Sequence, residues 1–414
     1  MAIRQWKPKP LVITPEDTIE QRRAGRYVCT ATWGSIEEAD KGRNKPVRVR
    51  NAHPWHDGKL SRVGWWGEQV VGHVGVLRVP VRLGAAVLEM AGIAGVCADP
   101  RARNRGIASA LMRDALGASK EAGLCFSLLF GIPNFYHRFG FVPAWPKHTI
   151  VAKAEDLPDT PRWRARKARK SDAPKMLAHY NGLYGRIDGS AVRHPRLFLR
   201  GTRDVRLILT GPRRDDWAYV VFRKVKWEEQ EHLQLIEACG TGAGWLAAVM
   251  REAARRAQEA KEEGVLFRLP PMHPICRQMI FRNAAAKTEY YRNEGAMVAV
   301  LDFAGLARAM APEWSRLIRT AGARVPRGGL VVRFRDEGYR WWPDRVDGRT
   351  ERLSRVPDPF DVEFNDALAR LVLGYGEFEE IVRAYGMRAG DATLPILRAV
   401  FPARPNGFSP VDHF

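Results

Sequence analysis

The stretch from Val96 to Ala108 constrains the fold more than any other part of the chain. A mostly apolar run, Leu88 to Val96, leads into it. A helix-like run, Ile107 to Ala122, leads out and stops at Gly123, a good C-terminal glycine. Between them lie Asp99-Pro100, then Arg101, Arg103 and Arg105, then Gly106. A strand, a short basic loop, a glycine and a helix make an anion site. The first helical turn has free N–H groups and the positive end of the dipole, and glycine lets the backbone come close.

The flanking segments supply a sheet. Gln69 to Arg82 alternates small and apolar residues and reads as a strand ending at or just after Pro80. Gly84-Ala85 turns the chain into a second strand, Leu88–Ala98. After the helix, Leu124–Phe130 is an almost continuous apolar run, as in a strand buried on both faces. It is followed by Gly131-Ile132-Pro133-Asn134-Phe135-Tyr136-His137-Arg138-Phe139-Gly140-Phe141. Upstream, Thr14-Pro15-Glu16-Asp17 predicts the start of a helix running to Trp33, with Pro at the first helical position.

The pattern Arg103-x-x-Gly106-x-Ala108 resembles the acetyl-CoA pyrophosphate loop of the GNAT N-acetyltransferase superfamily. Tyr136-x-Arg138-Phe139-Gly140-Phe141 resembles the region after that family's fifth strand, where a tyrosine stands beside the acetyl-CoA sulfur. The two motifs stand in the family's order. The resemblance implies a mixed α/β (α+β) fold and acetyl-CoA as co-substrate, with no metal. Backbone groups of Val96 and Ala98 would pair with the pantetheine arm like an added strand. Arg103, Asn104, Arg105, Gly106, Ile107, Ala108 and Ser109 would hold the pyrophosphate, mainly through N–H groups. Cys97, Gly131 and Ile132 belong to the same cofactor-binding set. Tyr136 would act as general acid toward the leaving thiolate, with His137 and His413 as further candidates for base or relay.

The unit recurs. Residues 110–116 (Ala-Leu-Met-Arg-Asp-Ala-Leu) return as 248–254 (Ala-Val-Met-Arg-Glu-Ala-Ala), a shift of 138. Leu129–Pro133 returns as Leu266–Pro270, a shift of 137. The second copy has Thr241-Gly242-Ala243-Gly244 in place of the arginine loop, and Tyr136 maps to about His273. It reads as a degenerate repeat kept for its packing surface.

From Ala296 the character changes. Met297–Asp302 reads as a strand and Leu306–Thr320 as a helix. Gly328–Arg335 and Tyr339–Pro343 flank the turn Asp336-Glu337-Gly338. Three short helical runs precede a tail too rich in Pro and Gly for regular structure. This block resembles the sterol-carrier-protein-like domain that closes one GNAT subfamily. Three domains are therefore expected: a catalytic GNAT domain at 1–154, a degenerate GNAT-like domain at 155–295 and a sterol-carrier-protein-like domain at 296–414.

That arrangement resembles the enhanced-intracellular-survival acetyltransferases. The resemblance implies acetyl transfer to a primary amine of a small molecule, with aminoglycoside antibiotics among the acceptors, and a homo-hexamer. It also implies that the carboxylate of Phe414 enters the site as the base. Protein lysines, polyamines, or a non-catalytic module binding CoA or nucleic acid are the alternatives. An acidic, aromatic acceptor pocket is sought at Trp33, Glu37 and Glu38. Transfer is expected to be direct, because no cysteine in either motif has a histidine next to it in sequence.

Composition narrows the setting. The net charge of +21 over 414 residues admits nucleic acid or an anionic ligand, but the charge is spread along the chain and a nucleic-acid partner is not expected. It also opposes a polycationic acceptor at long range. Five widely spaced cysteines fit neither a disulfide framework nor a zinc pair, so a cytoplasmic setting is expected. The cluster His53-Pro54-Trp55-His56-Asp57 matches no ligand spacing. No apolar run approaches the ~20 residues of a membrane span.

Overall fold

The computed structural model describes residues 6–42, 53–158, 163–198, 204–227, 230–356 and 358–414. The polar turn expected at 41–46 and the start of the basic run at Arg162 fall mostly outside them.

The first run of elements is β1 (Val12–Pro15), α1 (Ile19–Trp33), α2 (Ile36–Gly42), β2 (Arg62–Trp66), β3 (Gln69–Leu83), β4 (Ala86–Ala98), α3 (Ile107–Glu121), β5 (Phe126–Gly131) and β6 (Val142–Pro143). The helix expected from Thr14 starts later. Val12–Pro15 pairs antiparallel with β2, and Thr18 caps α1 in a capping box with Gln21. The hairpin β3–β4 turns through Gly84-Ala85, with Leu83 opposite Ala86. Strands β4 and β5 run parallel, joined by the crossover helix α3.

The second run is β7 (Lys147–Lys153), β8 (Arg164–Lys167), α4 (Ala173–Tyr184), β9 (Asp204–Thr210), β10 (Trp217–Trp227), β11 (Gln230–Thr241), α5 (Trp245–Glu259), β12 (Gly264–Phe267), α6 (Pro274–Gln278), β13 (Ala284–Glu289) and β14 (Gly295–Val300). The two sheets have the same plan. One reads β1-β2-β3-β4-β5-β14-β6 and the other β8-β9-β10-β11-β12-β7-β13. The last strand of the second run, β14, lies between β5 and β6 in the first sheet, and β7, which follows β6 in the chain, lies between β12 and β13 in the second. The expected boundaries at 154 and 295 follow chain order; the sheets interlock across both. Helices α3 and α5 share a length of 15 residues, and each follows a left-handed glycine, Gly106 or Gly244.

The third part opens with α7 (Phe303–Ala321), whose apolar face (Phe303, Leu306, Met310, Trp314, Ile318) is buried. Asp302 caps it by accepting from the Gly305 N–H at 2.6 Å. Strands β15 (Leu330–Phe334), β16 (Glu337–Trp341), β17 (Thr350–Arg352), β18 (Val362–Phe364) and β19 (Arg388–Ala389) form a sheet ordered β17-β16-β15-β18-β19. The hairpin turn falls one residue early, because Arg335 takes the left-handed conformation (φ 55°) and Glu337 already pairs with Phe334. Trp314 and Trp341 meet edge to face, with ring centroids 5.0 Å apart. This core runs on without a break into the one face of β3, β4 and β5. No described helix is long and apolar enough to cross a membrane.

Candidate active site

The site forms where β4 and β5 part company. Their parallel pairing covers only Met90–Ile93 opposite Phe126–Leu129. A bulge in the β3–β4 ladder, between His73 and Gly75, re-aims the end of β4. From Ala94 to Ala98 the β5-facing edge of β4 is therefore unpaired, and an extended arm can add to it as a strand.

That open edge runs straight into the anion loop. Asp99 is fully buried and accepts from the Arg101 N–H, Nε and Nη2 at 2.7–2.8 Å. Arg101 also lies 3.9 Å above the Trp6 ring and donates to the Tyr27 hydroxyl. Arg101 is thus a structural residue. Arg103, Asn104, Arg105 and Gly106 are exposed, and neither Arg103 nor Arg105 pairs with a described side chain. Gly106 precedes α3 at φ 73°, a conformation that glycine adopts without a Cβ penalty, and no side chain caps the helix. A Cβ there would meet nothing within 4 Å, which leaves room for a ligand beside the backbone. Ile107, Ala108 and Ser109 begin the helix, so their N–H groups lack intrahelical acceptors.

Tyr136 stands at the far end of β5. The turn before it is tied down twice: Asn134 N–H donates to the Asn293 carbonyl, and Asn293 Nδ2 donates to Asn134 Oδ1, both at 3.0 Å. Tyr136 is 7% exposed and packs edge to face on Phe135 and Phe141. Its ring lies against Gly131. Burial, helped by Cys97, pushes its phenol up to about 12. Ile132 is exposed beside it.

Behind the β4 edge lies a polar cluster that sequence adjacency hid. His73 sits opposite Cys97 in the β3–β4 ladder. Cys29 Sγ, from α1, is 3.6 Å from Cys97 Sγ and 3.4 Å from His73 Nδ1. The expectation that no histidine accompanies a motif cysteine therefore fails in space: strand pairing joins residues 24 apart. His73 Nδ1 also lies 2.9 Å from the Gly95 carbonyl, which only accepts, so this nitrogen carries a proton. Nε2 faces Glu16 at 3.4 Å, and His56 approaches the same carboxylate at 3.1 Å. Burial opposes charge on His73, but Glu16 outweighs it and holds the imidazole above its ordinary value. Burial likewise opposes charge on Glu16, yet the two histidines bring it down to about 2. Cys29 donates to Cys97, lowering the Cys97 thiol and raising its own. The ligand-type atoms of Cys29, His73 and Cys97 lie within 4.8 Å of one another. With Nδ1 protonated toward Gly95, they make a hydrogen-bonded relay rather than a ready metal cage.

The tail returns to this point. The Phe414 ring lies over Gly92, where an added Cβ would be 2.6 Å from it. His413 stacks on Phe130, with centroids 3.7 Å apart, and Phe414 meets the same ring edge-on at 5.9 Å. Burial keeps His413 far below its ordinary value, and so neutral. A buried ion cluster anchors the segment: Arg193 donates to both Asp412 oxygens at 2.6 and 2.7 Å and to Glu237 Oε1 at 2.7 Å. Glu237 also accepts from Ser409 Oγ and the Tyr219 hydroxyl. The tail expected to be irregular is thus fixed with only one short 3-10 turn, Pro410–Asp412.

Trp33, Glu37 and Glu38 are all exposed, and Glu37 is paired with Lys41 at 2.6 Å. They lie beside the open edge of β4, since the neighbouring Thr32 hydroxyl donates to the Ala98 carbonyl at 3.2 Å. A cavity of about 530 Å³ opens elsewhere, against Phe130, Gly131, Phe408 and His413. Sequence reasoning missed it because its walls come from β5, β7, the end of β12, the β13–β14 loop, the segment at Tyr375 and the tail. In the second sheet, the position corresponding to Tyr136 is held by the fully buried His273. Its Nε2 donates to the Ala238 carbonyl at 2.8 Å, while Nδ1 caps α6.

A family model described as an acetyltransferase (GNAT) domain matches residues 41–144. No curated protein matches the chain by sequence. Solved structures share the fold from end to end. A GCN5-related N-acetyltransferase from Anabaena variabilis matches with a TM-score of 0.68 at 15% identity, over 98% of this chain and 100% of that one. One from Kribbella flavida matches at 0.66 and 18%, over 98% of each chain. Eis1 from Mycobacterium abscessus matches at 0.61 and 15%, over 97% of this chain and 100% of its own.

Proposed function

From the premise that the chain carries a GNAT acetyltransferase domain and is an acyltransferase, we propose that it moves an acetyl group from acetyl-CoA directly to a primary amine. One observation carries this reading. The unpaired edge of β4 leads into an uncapped helix start at Gly106, and Tyr136 stands at the end of the neighbouring strand.

In the proposed complex, pantetheine adds along Val96 and Ala98, while the N–H groups at 106–109 and the side chains of Arg103 and Arg105 take the pyrophosphate. The acceptor amine loses a proton and attacks the thioester carbonyl. The carboxylate of Phe414, or water beside it, takes that proton, because the tail reaches the strand opening at Gly92. Collapse of the tetrahedral intermediate breaks the carbon–sulfur bond. At about 12, the Tyr136 phenol is a weaker acid than a thiol. Its contribution is then a hydrogen bond to sulfur that strengthens as negative charge develops, with the proton following to free CoA. Cys97 packs in the relay behind the edge and carries no acetyl group.

The second sheet, with its matching strand order and left-handed Gly244, fits a degenerate GNAT-like unit. The third part fits a sterol-carrier-protein-like domain that delivers the tail. The reading is tested by measuring thiol release from acetyl-CoA against a panel of amines, aminoglycosides included. Amine-dependent release supports it; release from none of the amines contradicts it.

A further inference from the structure

The cavity against Phe130 and Gly131 has an unusual charge balance. Three strong cations line it: Lys147, Arg268 and Arg404. Lys147 is paired with Glu289 at 3.0 Å. Arg404 is paired with both Asp188 and Glu313, at 2.9 and 2.7 Å. Arg268 makes no side-chain hydrogen bond or ion pair with any described residue. It is nonetheless half-buried at the end of β12, its own N–H donating to the Leu235 carbonyl at 2.8 Å. Burial is the largest influence and presses it toward losing charge, as does Arg223, while Tyr291 and Glu289, neither in direct ion-pair contact, oppose this. The single acid on the wall, Glu294, does not come within ion-pair range of it. A half-buried guanidinium that makes no direct ion pair is better satisfied when an anion enters beside it.

The cavity also abuts the reacting centre. Its wall Phe130 carries His413 and Phe414, its wall Gly131 touches the Tyr136 ring, and the charge on Arg268 is felt at His413. The remaining walls combine aromatic rings, Trp145, Tyr291 and Tyr375, and apolar groups with the polar His148 and Asn406. In the repeat, shifted by 137, Arg268 takes the place that Gly131 holds in the first copy. The degenerate half thus faces the site with a charge where the first half has only backbone.

Resting on the acetyl-transfer reading above, we propose that Arg268 receives the carboxylate of the acceptor, whose amine is the group acetylated and whose apolar or aromatic body lies against Trp145, Tyr291 and Tyr375. The acceptor is thus an amino acid or a similar carboxylate-bearing amine, rather than a polycation. The fork of the guanidinium matches a carboxylate in two parallel N–H···O bonds. A polycationic amine would instead place like charge against Arg268, adding a local cost to the long-range repulsion of a chain at +21.

The test compares matched amines in the thiol-release assay: L-phenylalanine, 2-phenylethylamine, which lacks only the carboxylate, and spermidine. Wild-type kcat/KM is expected to favour L-phenylalanine over 2-phenylethylamine at least tenfold, and spermidine is expected to be the poorest. Arg268→Met should bring that ratio close to one, mainly by raising KM for L-phenylalanine, and Arg268→Lys should restore part of it. Unchanged acetyl-CoA binding by calorimetry shows that the variants fold. A ratio near one in the wild type, a preference for spermidine, or a ratio that survives Arg268→Met overturns the proposal. If no amine releases thiol, the acetyl-transfer reading fails, and binding of N-acetyl-L-phenylalanine by calorimetry still decides the cavity. Binding that Arg268→Met abolishes supports the carboxylate site, and no binding to the wild type overturns it.

Discussion

Phe414 rests on Gly92, with so little space between them that a side chain at 92 would take the place of the ring. Gly92 is the penultimate β4 residue paired with β5 before the strands separate, so the tail and the strand opening share one point. Gly92→Val should expel the Phe414 ring. Turnover is expected to fall at least tenfold, while acetyl-CoA binding, made further along β4 and α3, changes by less than a factor of about three. Kinetics and calorimetry on the same variant check this. Unaltered turnover would place the tail outside the reaction.

Arg103 and Gly106 are separable from the fold because both are exposed. The pair Arg103→Glu with Gly106→Glu places two negative charges where the proposed complex would hold the pyrophosphate and forces a side chain into the left-handed conformation, which costs about 1 kcal/mol. Acetyl-CoA binding by calorimetry should disappear with little change in the melting temperature. Retained binding would contradict the cofactor assignment.

His273 makes stability depend on pH. Burial brings its folded value down to about 4, against an ordinary 6.5. Between those values the unfolded chain holds a proton that the folded chain does not, so stability falls as pH drops from 6.5 toward 4. The limiting loss from this residue is about 3 kcal/mol. His413, also buried and neutral, acts in the same direction. Asp412, pushed up to about 6 by burial, gains stability over the same window, so the effect of His273 is read against His273→Gln, whose melting temperature should fall less than the wild type's, or rise more, between pH 7 and pH 5. The same pH slope in both proteins would contradict it.

Cys97 tests whether transfer is direct. With His73, Cys29 and Glu16 behind it, this thiol has the surroundings of a nucleophile, yet its side chain is buried among those partners. Cys97→Ala should keep turnover within about fivefold. A loss of a thousandfold or more, or an acetylated Cys97 trapped by mass spectrometry, would establish a covalent intermediate.

The candidate site was largely readable in sequence because its parts lie close together in the chain. Gly106, the arginines around it and Tyr136 each stand within a few residues of a strand end. The echo between α3 and α5 was legible for the same reason: a helix repeats its own periodicity. The insertion of β14 between β5 and β6, and of β7 between β12 and β13, was not, since strand pairing between segments so far apart in the chain leaves no local pattern. Thr14-Pro15 read as a helix start because strand pairing with β2 overrode a good first-turn sequence. His73 and Cys97 meet only through β-ladder register, and Arg268 acquires its setting only when six segments close a cavity around it.

The most direct measurement of the central claim is thiol release from acetyl-CoA by the wild type and Tyr136→Phe, side by side, with and without amine. The predicted result is release that requires an amine, yields one N-acetylated product per thiol, and falls at least a hundredfold in kcat for Tyr136→Phe with acetyl-CoA affinity unchanged. Amine-independent release, or full activity in Tyr136→Phe, would contradict the placement of the reaction between the open edge of β4 and the end of β5.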